Sequence, residues 1–501
     1  MCWENNCFSF ESYKDKKVIV FICGPGYLEY PWAIETFTRL HIAGAKVEVV
    51  DMSEIAAAYA MRLKFGPIIL PTISRTLIRA MVLSRKSRIE IVTKKICSEL
   101  EIPYIKHRMH FHRMSIRKKI KIEKFTGIYW SIINAREIIL STFSTYERRA
   151  MIDADTIDLR KAIQIKSAIL KTSKFIQKYK KNKLDAAFVA NGRQPVQAAV
   201  TLGLRQAKIS VITYEAGGGY VFPDILKKRI DYFFTSPANA IEGQGKILCK
   251  NLVMPNNLAV DEDKLIELIK DRVSIPYGLN FLENSINFVP EKKSIGRNYA
   301  FFATSGWETS VIEITSEYKN KSTTFLDQIE AIKCVIDNLD KNDKLFLRLH
   351  PIDPGVRSKE EKIWQDFRRI SNVEVIDSYS KINSYDLAST MDANFVWVSF
   401  FGYELALRRV PVAVLGDAVY APLFCENWLK SPDKLKTWMK NPGLCPEADL
   451  IKYIRYLAVG GFEVKSSDTD NSRRIRINNC RLDKPKFIFT KLPLKLLNSI
   501  S

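Results

Sequence analysis

In the second half of the chain, small, hydroxylic or phosphate-seeking groups recur directly after short apolar runs. They are Thr304-Ser305-Gly306, Arg348-Leu349-His350-Pro351, Asp377-Ser378, Ser399-Phe400-Phe401-Gly402-Tyr403-Glu404 and Gly416-Asp417. A nucleotide phosphate calls for this chemistry. Small residues let the backbone approach, backbone N–H groups meet phosphate oxygens, and a carboxylate takes two ribose hydroxyls. His350 is one of only five histidines, and Pro351 behind it restricts the turn. Each residue alone has a bland explanation: a structural histidine, a helix cap at Ser399, a first-turn carboxylate favoured by the helix dipole at Glu404. Their recurrence after successive apolar runs points to one shared site.

Such a site needs strands that all end at one edge. The apolar runs 299–303, 344–349, 373–376, 394–398 and 411–415 have the length and continuity of parallel strands buried on both faces. Helical spacing fills the gaps, notably over 325–339 and 402–409. In an open parallel sheet, ligands bind beyond the carboxyl ends of the strands, where these groups fall. The first half has the same grammar. Lys17–Cys23 reads as a strand, Gly24-Pro25-Gly26 as a turn, Pro31–Ala43 as a helix closed by Gly44, and Lys46–Val50 as the next strand. The pattern returns with a strand over 184–190, a turn at Asn191-Gly192-Arg193, a helix over 196–207 and a strand over 209–214. The expected fold class is therefore α/β with two doubly wound, Rossmann-like domains.

Leu347-Arg348-Leu349-His350-Pro351 resembles the His-Pro motif of bacterial GT-B glycosyltransferases of capsule and surface-polysaccharide biosynthesis, of the Kdo-transferase and sialyltransferase type. The stretch from Ser399 through Gly402, Glu404 and Pro411-Val412 to Leu415-Gly416-Asp417-Ala418-Val419-Tyr420 resembles the serine motif of that family. The resemblance covers about residues 299–423 well and 184–220 loosely. It implies a GT-B fold whose two domains face a central cleft, with a CMP- or UDP-linked sugar donor held by the C-terminal domain. It implies that His350 contacts the donor phosphate, that Ser399 and Gly402 contribute to the phosphate pocket, and that Glu404 binds ribose. Thr304 and Ser305 would line the same cleft, and Arg348 and Pro351 join the donor-binding set. The acceptor implied is a surface polysaccharide or lipid-linked glycan. A polyol-phosphate transferase of teichoic-acid type, or a nucleotide-sugar epimerase, would use the same scaffold.

In the related sialyltransferases the catalytic base is an acidic residue of the N-terminal domain, in an acidic-acidic-glycine pattern. Tyr214-Glu215-Ala216-Gly217 departs from that pattern but places Glu215 after a strand, beside glycines. Glu29, just beyond Gly24-Pro25-Gly26, is the rival. Either could deprotonate an acceptor hydroxyl in an inverting displacement. Asn191 and Arg193 end a neighbouring strand and suit an anionic acceptor or donor carboxylate.

Net charge is +22, and residues 106–183 hold 20 Lys/Arg against 6 Asp/Glu, a local excess of +14. Lys171, Lys174, Lys178 and Lys181 fall on one helical stripe. That stripe is either an ordinary solvated face or a surface for anionic lipid. A nucleic-acid-binding protein or a non-catalytic scaffold is the alternative, but no RNP, KH, zinc-finger or helix-turn-helix pattern is present, so no nucleic-acid partner is expected. His107, His110 and His112, and the pair Asp153 and Asp155, lie in this basic field, which disfavours a cation. No metal or cofactor is expected, the nucleotide-sugar being a substrate. The nine cysteines are dispersed, with no C-x-x-C pair, and no stretch of about 18 apolar residues occurs. The expectation is a cytoplasmic enzyme, peripheral at the inner face of the cell membrane. The expected layout is an N-terminal acceptor-side domain over 1–283 with a basic helical insert at about 55–183 and a linker over 284–298. A donor-binding domain follows over 299–470, and then a basic tail, 471–501, that packs across the junction.

Overall fold

The computed structural model describes residues 9–23, 29–53, 90, 92–106, 172, 175–176, 183–190, 195–216, 231–235, 263, 266–267, 296–304, 323–351, 359–418, 420–448, 450–451, 462–463, 467–469, 475–477 and 480–481. The first unit is built on β1 (Lys17–Ile22), α1 (Glu29–Ile42), β2 (Lys46–Asp51), β3 (Tyr104–Lys106), β4 (Ala186–Ala190), α2 (Pro195–Gln206), β5 (Ser210–Ala216) and β6 (Asp231–Thr235). In β1, Val18, Ile19, Val20, Phe21 and Ile22 are all buried. Each such side chain contributes about 1.5–3 kcal/mol of burial, so an unbroken apolar run is stable only as a central strand with both faces covered. Helix α1 stops where expected: Gly44 takes φ +85°, which a side chain would disfavour, and Ala45 N–H donates to Leu40 O at 2.9 Å.

The order in this sheet is β3-β2-β1-β4-β5-β6, and its first five strands are parallel. Three features differ from the sequence expectation. The segment at 55–183, read as helical, contains β3, which pairs with β2 at Val49, Val50 and Asp51. Three residues are too few to show a period, and what holds them is long-range: Tyr104 Oη donates to Asp51 Oδ2 at 2.6 Å. Lys106, counted in the basic run, is paired with Glu90 at 2.6 Å. Burial works against ionising Glu90, but hydrogen bonds from Lys106 and Lys94 outweigh it and hold its carboxyl below the usual range. Second, Glu215 lies inside β5 rather than after it, because β6 pairs antiparallel with β5 and extends the ladder to Ala216. Third, β6 is not among the expected strands, although Tyr232, Phe233, Phe234 and Thr235 are residues that favour one.

The second unit comprises β7 (Asn298–Phe302), α3 (Gln328–Asp337), β8 (Lys344–Arg348), α4 (Lys359–Arg368), β9 (Val373–Ile376), α5 (Ser384–Ser389), β10 (Ala393–Val396), α6 (Phe401–Leu407), β11 (Val412–Val414) and α7 (Pro432–Lys440). All five strands are parallel, in the order β11-β10-β7-β8-β9. Within each sheet the chain starts at a central strand, builds outward to one side, then crosses over to the other. This is the doubly wound pattern expected from the sequence. One core, with Phe301, Leu345, Phe395, Trp397 and Trp438, covers one face of the second sheet; another, with Tyr385, Tyr403, Val414, Tyr420 and Phe424, covers the other. Beyond it, β12 (Phe462–Glu463) returns to the first sheet, antiparallel to β6. Strands β13 (Ser467–Thr469), β14 (Ile475–Ile477) and β15 (Cys480–Arg481) form a small antiparallel sheet. Among the described residues, no helix is long and apolar enough to cross a membrane.

Candidate functional site

The strand order of the second sheet sets β7 beside β10, although their first residues, Asn298 and Ala393, are 95 positions apart in the chain. This is where the winding reverses, and the crevice beyond it is the natural ligand position. The strand ends on either side are joined into one hydrogen-bonded row. Gly416 N–H donates to Trp397 O at 3.0 Å, Ala303 N–H to Arg348 O at 2.9 Å, and Leu349 N–H to Ile376 O at 2.9 Å. Across the crevice, Val398 N–H donates to the Thr304 hydroxyl at 3.1 Å. The Thr304 N–H in turn donates to Gln328 Oε1 at 2.7 Å. The groups after β7, β8, β9, β10 and β11 are thus brought to a single edge.

Thr304 and Ser399 are buried at this edge, whereas His350 and Pro351 are half-buried. Ser399 Oγ accepts from Phe401 N–H at 3.3 Å, and its carbonyl accepts from the Tyr420 hydroxyl. Gly402 has a packing reason to be glycine: a Cβ there would lie 2.5 Å from Val396 Cγ2 and 2.6 Å from Tyr420 Oη. Alanine would gain about 1 kcal/mol of helix propensity, but overpacking against two buried groups costs about 1–3 kcal/mol. Gly402→Ala is expected to lower stability by up to about 2 kcal/mol. Urea unfolding checks this, and a midpoint above wild type would refute it.

Two predicted donor residues have commitments the sequence did not reveal. Glu404 is 0% exposed, and its Oε2 accepts from the Tyr385 hydroxyl at 2.8 Å. The Arg408 guanidinium lies 3.9 Å from the centre of the Tyr385 ring. Arg348 is 3% exposed and donates to the carbonyls of Asp377 and, at 3.0 Å, Ser380. Burial lowers its pKa to about 10, with Asp377 partly opposing the shift. Tyr385 and Ser380 carry no motif; only the folded chain brings them to Glu404 and Arg348.

In the first sheet the corresponding reversal lies between β1 and β4, and Glu29 sits at it. Its Oε1 accepts from Cys23 N–H, just after β1, at 2.6 Å; its Oε2 accepts from Gln197 Nε2, in the first turn of α2, at 3.4 Å. Glu29 is 5% exposed. Next to it, Asp51 accepts from the hydroxyls of Tyr104 and Tyr30 and from Ser53 N–H. Burial, reinforced by Glu29 and Asp51, pushes the Cys23 thiol well up. Glu215 stands near the carboxyl end of β5, opposite Phe233. Ser305, Asn191, Arg193, the histidines 107, 110 and 112, Asp153, Asp155 and Lys171, Lys174, Lys178 and Lys181 lie outside the described residues.

These features define an α/β protein with two doubly wound sheets built mainly of parallel strands. No family model matches the chain, and no curated protein matches it. Among solved structures it is similar to a KpsC beta-Kdo 2,4-transferase of Thermosulfurimonas dismutans, with 13% identity, 54% of this chain and 78% of that one covered, and a TM-score of 0.36. A KpsC beta-Kdo 2,7-transferase of the same organism matches at 14% identity over 62% of this chain and 94% of that one, with a TM-score of 0.33. A UDP-GlcNAc 2-epimerase of Methanocaldococcus jannaschii, solved with UDP-GlcNAc and UDP, matches at 11% identity over 89% and 100%, with a TM-score of 0.27.

Proposed function

We propose that the chain is a glycosyltransferase that binds a nucleotide-activated sugar at the carboxyl edge of the second sheet and transfers the sugar to a glycan acceptor. The observation that carries this reading is the hydrogen-bonded row of strand ends at the β7–β10 crevice. There Thr304, His350, Ser399 and Gly416 share one edge. The Thr304 and Ser399 hydroxyls, which accept from backbone N–H groups and each carry a proton to donate, suit a phosphate at such a crevice, and a histidine beside them adds a side-chain donor. Glu404 lies one turn into the helix that follows β10, with Tyr385 over it.

The test is a thermal-shift series with CMP, UDP, GDP and CDP in the presence of EDTA. A ligand that binds only the folded state stabilises it by about 2.7 kcal/mol at a hundredfold excess over Kd. At least one of these nucleotides is expected to raise Tm without a divalent metal. No shift with any of them sinks the donor site, and a shift that appears only with Mg²⁺ overturns metal-free binding.

The acceptor is proposed to be surface polysaccharide or lipid-linked glycan, reached by docking of the basic segment 106–183 on anionic membrane. Each Lys or Arg near such a surface contributes about 1 kcal/mol, screened as salt rises. Flotation with liposomes containing anionic lipid is expected at low salt and not with neutral liposomes; equal behaviour with both would end the membrane proposal.

A further inference from the structure

Strands β7 and β10 run in register from Tyr299 opposite Ala393 to Phe302 opposite Val396. Two residues further on, Thr304 would face Val398 if the ladder continued. Instead, both backbone N–H groups are taken by side chains. Thr304 N–H donates to Gln328 Oε1 at 2.7 Å, and Val398 N–H donates to the Thr304 hydroxyl at 3.1 Å. Thr304 is 2% exposed and Gln328 5%, so water does not compete for the bond between them. A buried N–H left without an acceptor is costly, and these two side chains let the strands part without that cost.

The glutamine is not needed to cap its own helix. Asp327 caps α3 by accepting from Glu330 N–H at 2.8 Å, and Leu326 N–H donates back to the Glu330 carboxylate. That reciprocal cap is complete without Gln328, the first residue of α3. The Gln328 amide oxygen serves the end of β7 instead. Its reach extends further along the chain. Val398 is followed by Ser399, whose Oγ accepts from Phe401 N–H at 3.3 Å. A hydroxyl that accepts from one N–H still has its proton to give. The Thr304 and Ser399 hydroxyls are thus tied to one another and to α3 by a chain that starts at Gln328 and passes through the Val398 N–H.

We propose that Gln328 is a positioning residue for the donor phosphate: it touches no donor atom, but fixes Thr304 and, through Thr304, the Val398–Ser399 segment. This rests on the nucleotide-binding reading of the second sheet. The effect reaches the ligand only by way of the Thr304 hydroxyl, so removing that hydroxyl leaves Gln328 nothing to act on.

The experiment is a double-mutant cycle on the full chain, with Kd measured by calorimetry for CMP, UDP, GDP and CDP and urea unfolding as the control for folding. Thr304→Val keeps the shape and removes the hydroxyl; a loss of about tenfold is expected for the nucleotide that wild type binds. Gln328→Met keeps the length and removes the acceptor, with an expected loss of about three- to tenfold. The double variant is expected to lose no more than about twofold beyond Thr304→Val alone. A double variant whose loss is the product of the two single losses overturns the proposal, because Gln328 would then act apart from Thr304. Wild-type affinity in either single variant also overturns it, and leaves the donor site standing on His350 and Ser399. If Gln328→Met does not fold, Gln328→Asn, which holds the amide one methylene short of the Thr304 N–H, takes its place in the cycle. If neither folds, the amide supports the fold itself and the positioning role fails. If wild type binds none of the four nucleotides, the donor site itself fails and the positioning role with it.

Discussion

His350→Ala is expected to lower donor turnover by about 10²–10³-fold while the protein stays folded. The side chain leaves the end of β8 half-buried, and backbone hydrogen bonds and the Thr304 hydroxyl join the strand ends around it. Removing it should therefore shift stability by no more than about 1 kcal/mol. Its effect on rate is larger because charge grows on the leaving phosphate as the glycosidic bond breaks. Removing one fixed donor aimed at developing charge costs about 2.7–4 kcal/mol in comparable sites. The measurement is nucleotide release from the nucleotide-sugar that binds, with urea unfolding as the control for folding. An unchanged kcat/KM would remove His350 from the donor site. A comparable loss of stability would make it a structural histidine.

The second large effect is expected at Glu215. We propose it as the base that deprotonates the acceptor hydroxyl, in preference to Glu29, because both Glu29 oxygens are already engaged by Cys23 and Gln197. Glu215→Gln keeps the shape of the side chain and removes its capacity to take a proton. A general base contributes about 10²–10⁴-fold to rate, so kcat should fall by that factor while nucleotide affinity is retained. Glu29→Gln should behave differently. Its amide oxygen still accepts from Cys23, but the charge-assisted bond is lost, so a stability loss of about 1–3 kcal/mol is expected with turnover within tenfold of wild type. If instead Glu29→Gln loses turnover and Glu215→Gln does not, the base is Glu29. The ties to Cys23 and Gln197 would then serve to orient a catalytic group.

Both experiments depend on strand order, which local sequence patterns do not contain. The sequence by itself determined the buried parallel strands at the centre of each sheet and the helices between them. Val18–Ile22, Leu345–Leu347 and Phe395–Val396 are buried on both faces, so they had to be continuous apolar runs. It also determined the kind of group that follows each run, from Thr304 to Gly416. Tertiary structure alone decided what those groups meet. Setting β7 beside β10 is a long-range pairing with no local periodicity, and it brings Val398 to the Thr304 hydroxyl. The same holds for β3, which is defined by its neighbour and not by its composition, whereas β6 is an aromatic run whose place beside β5 only the fold decides. Glu404 is readable as a first-turn carboxylate, but its enclosure under Tyr385 follows from two helices packing on one face of the sheet. Arg348 is readable as a cation beside His350. Its burial beneath the Asp377–Ser380 turn makes it face the protein, because a charge removed from water must find its hydrogen bonds where the fold provides them, here in backbone carbonyls.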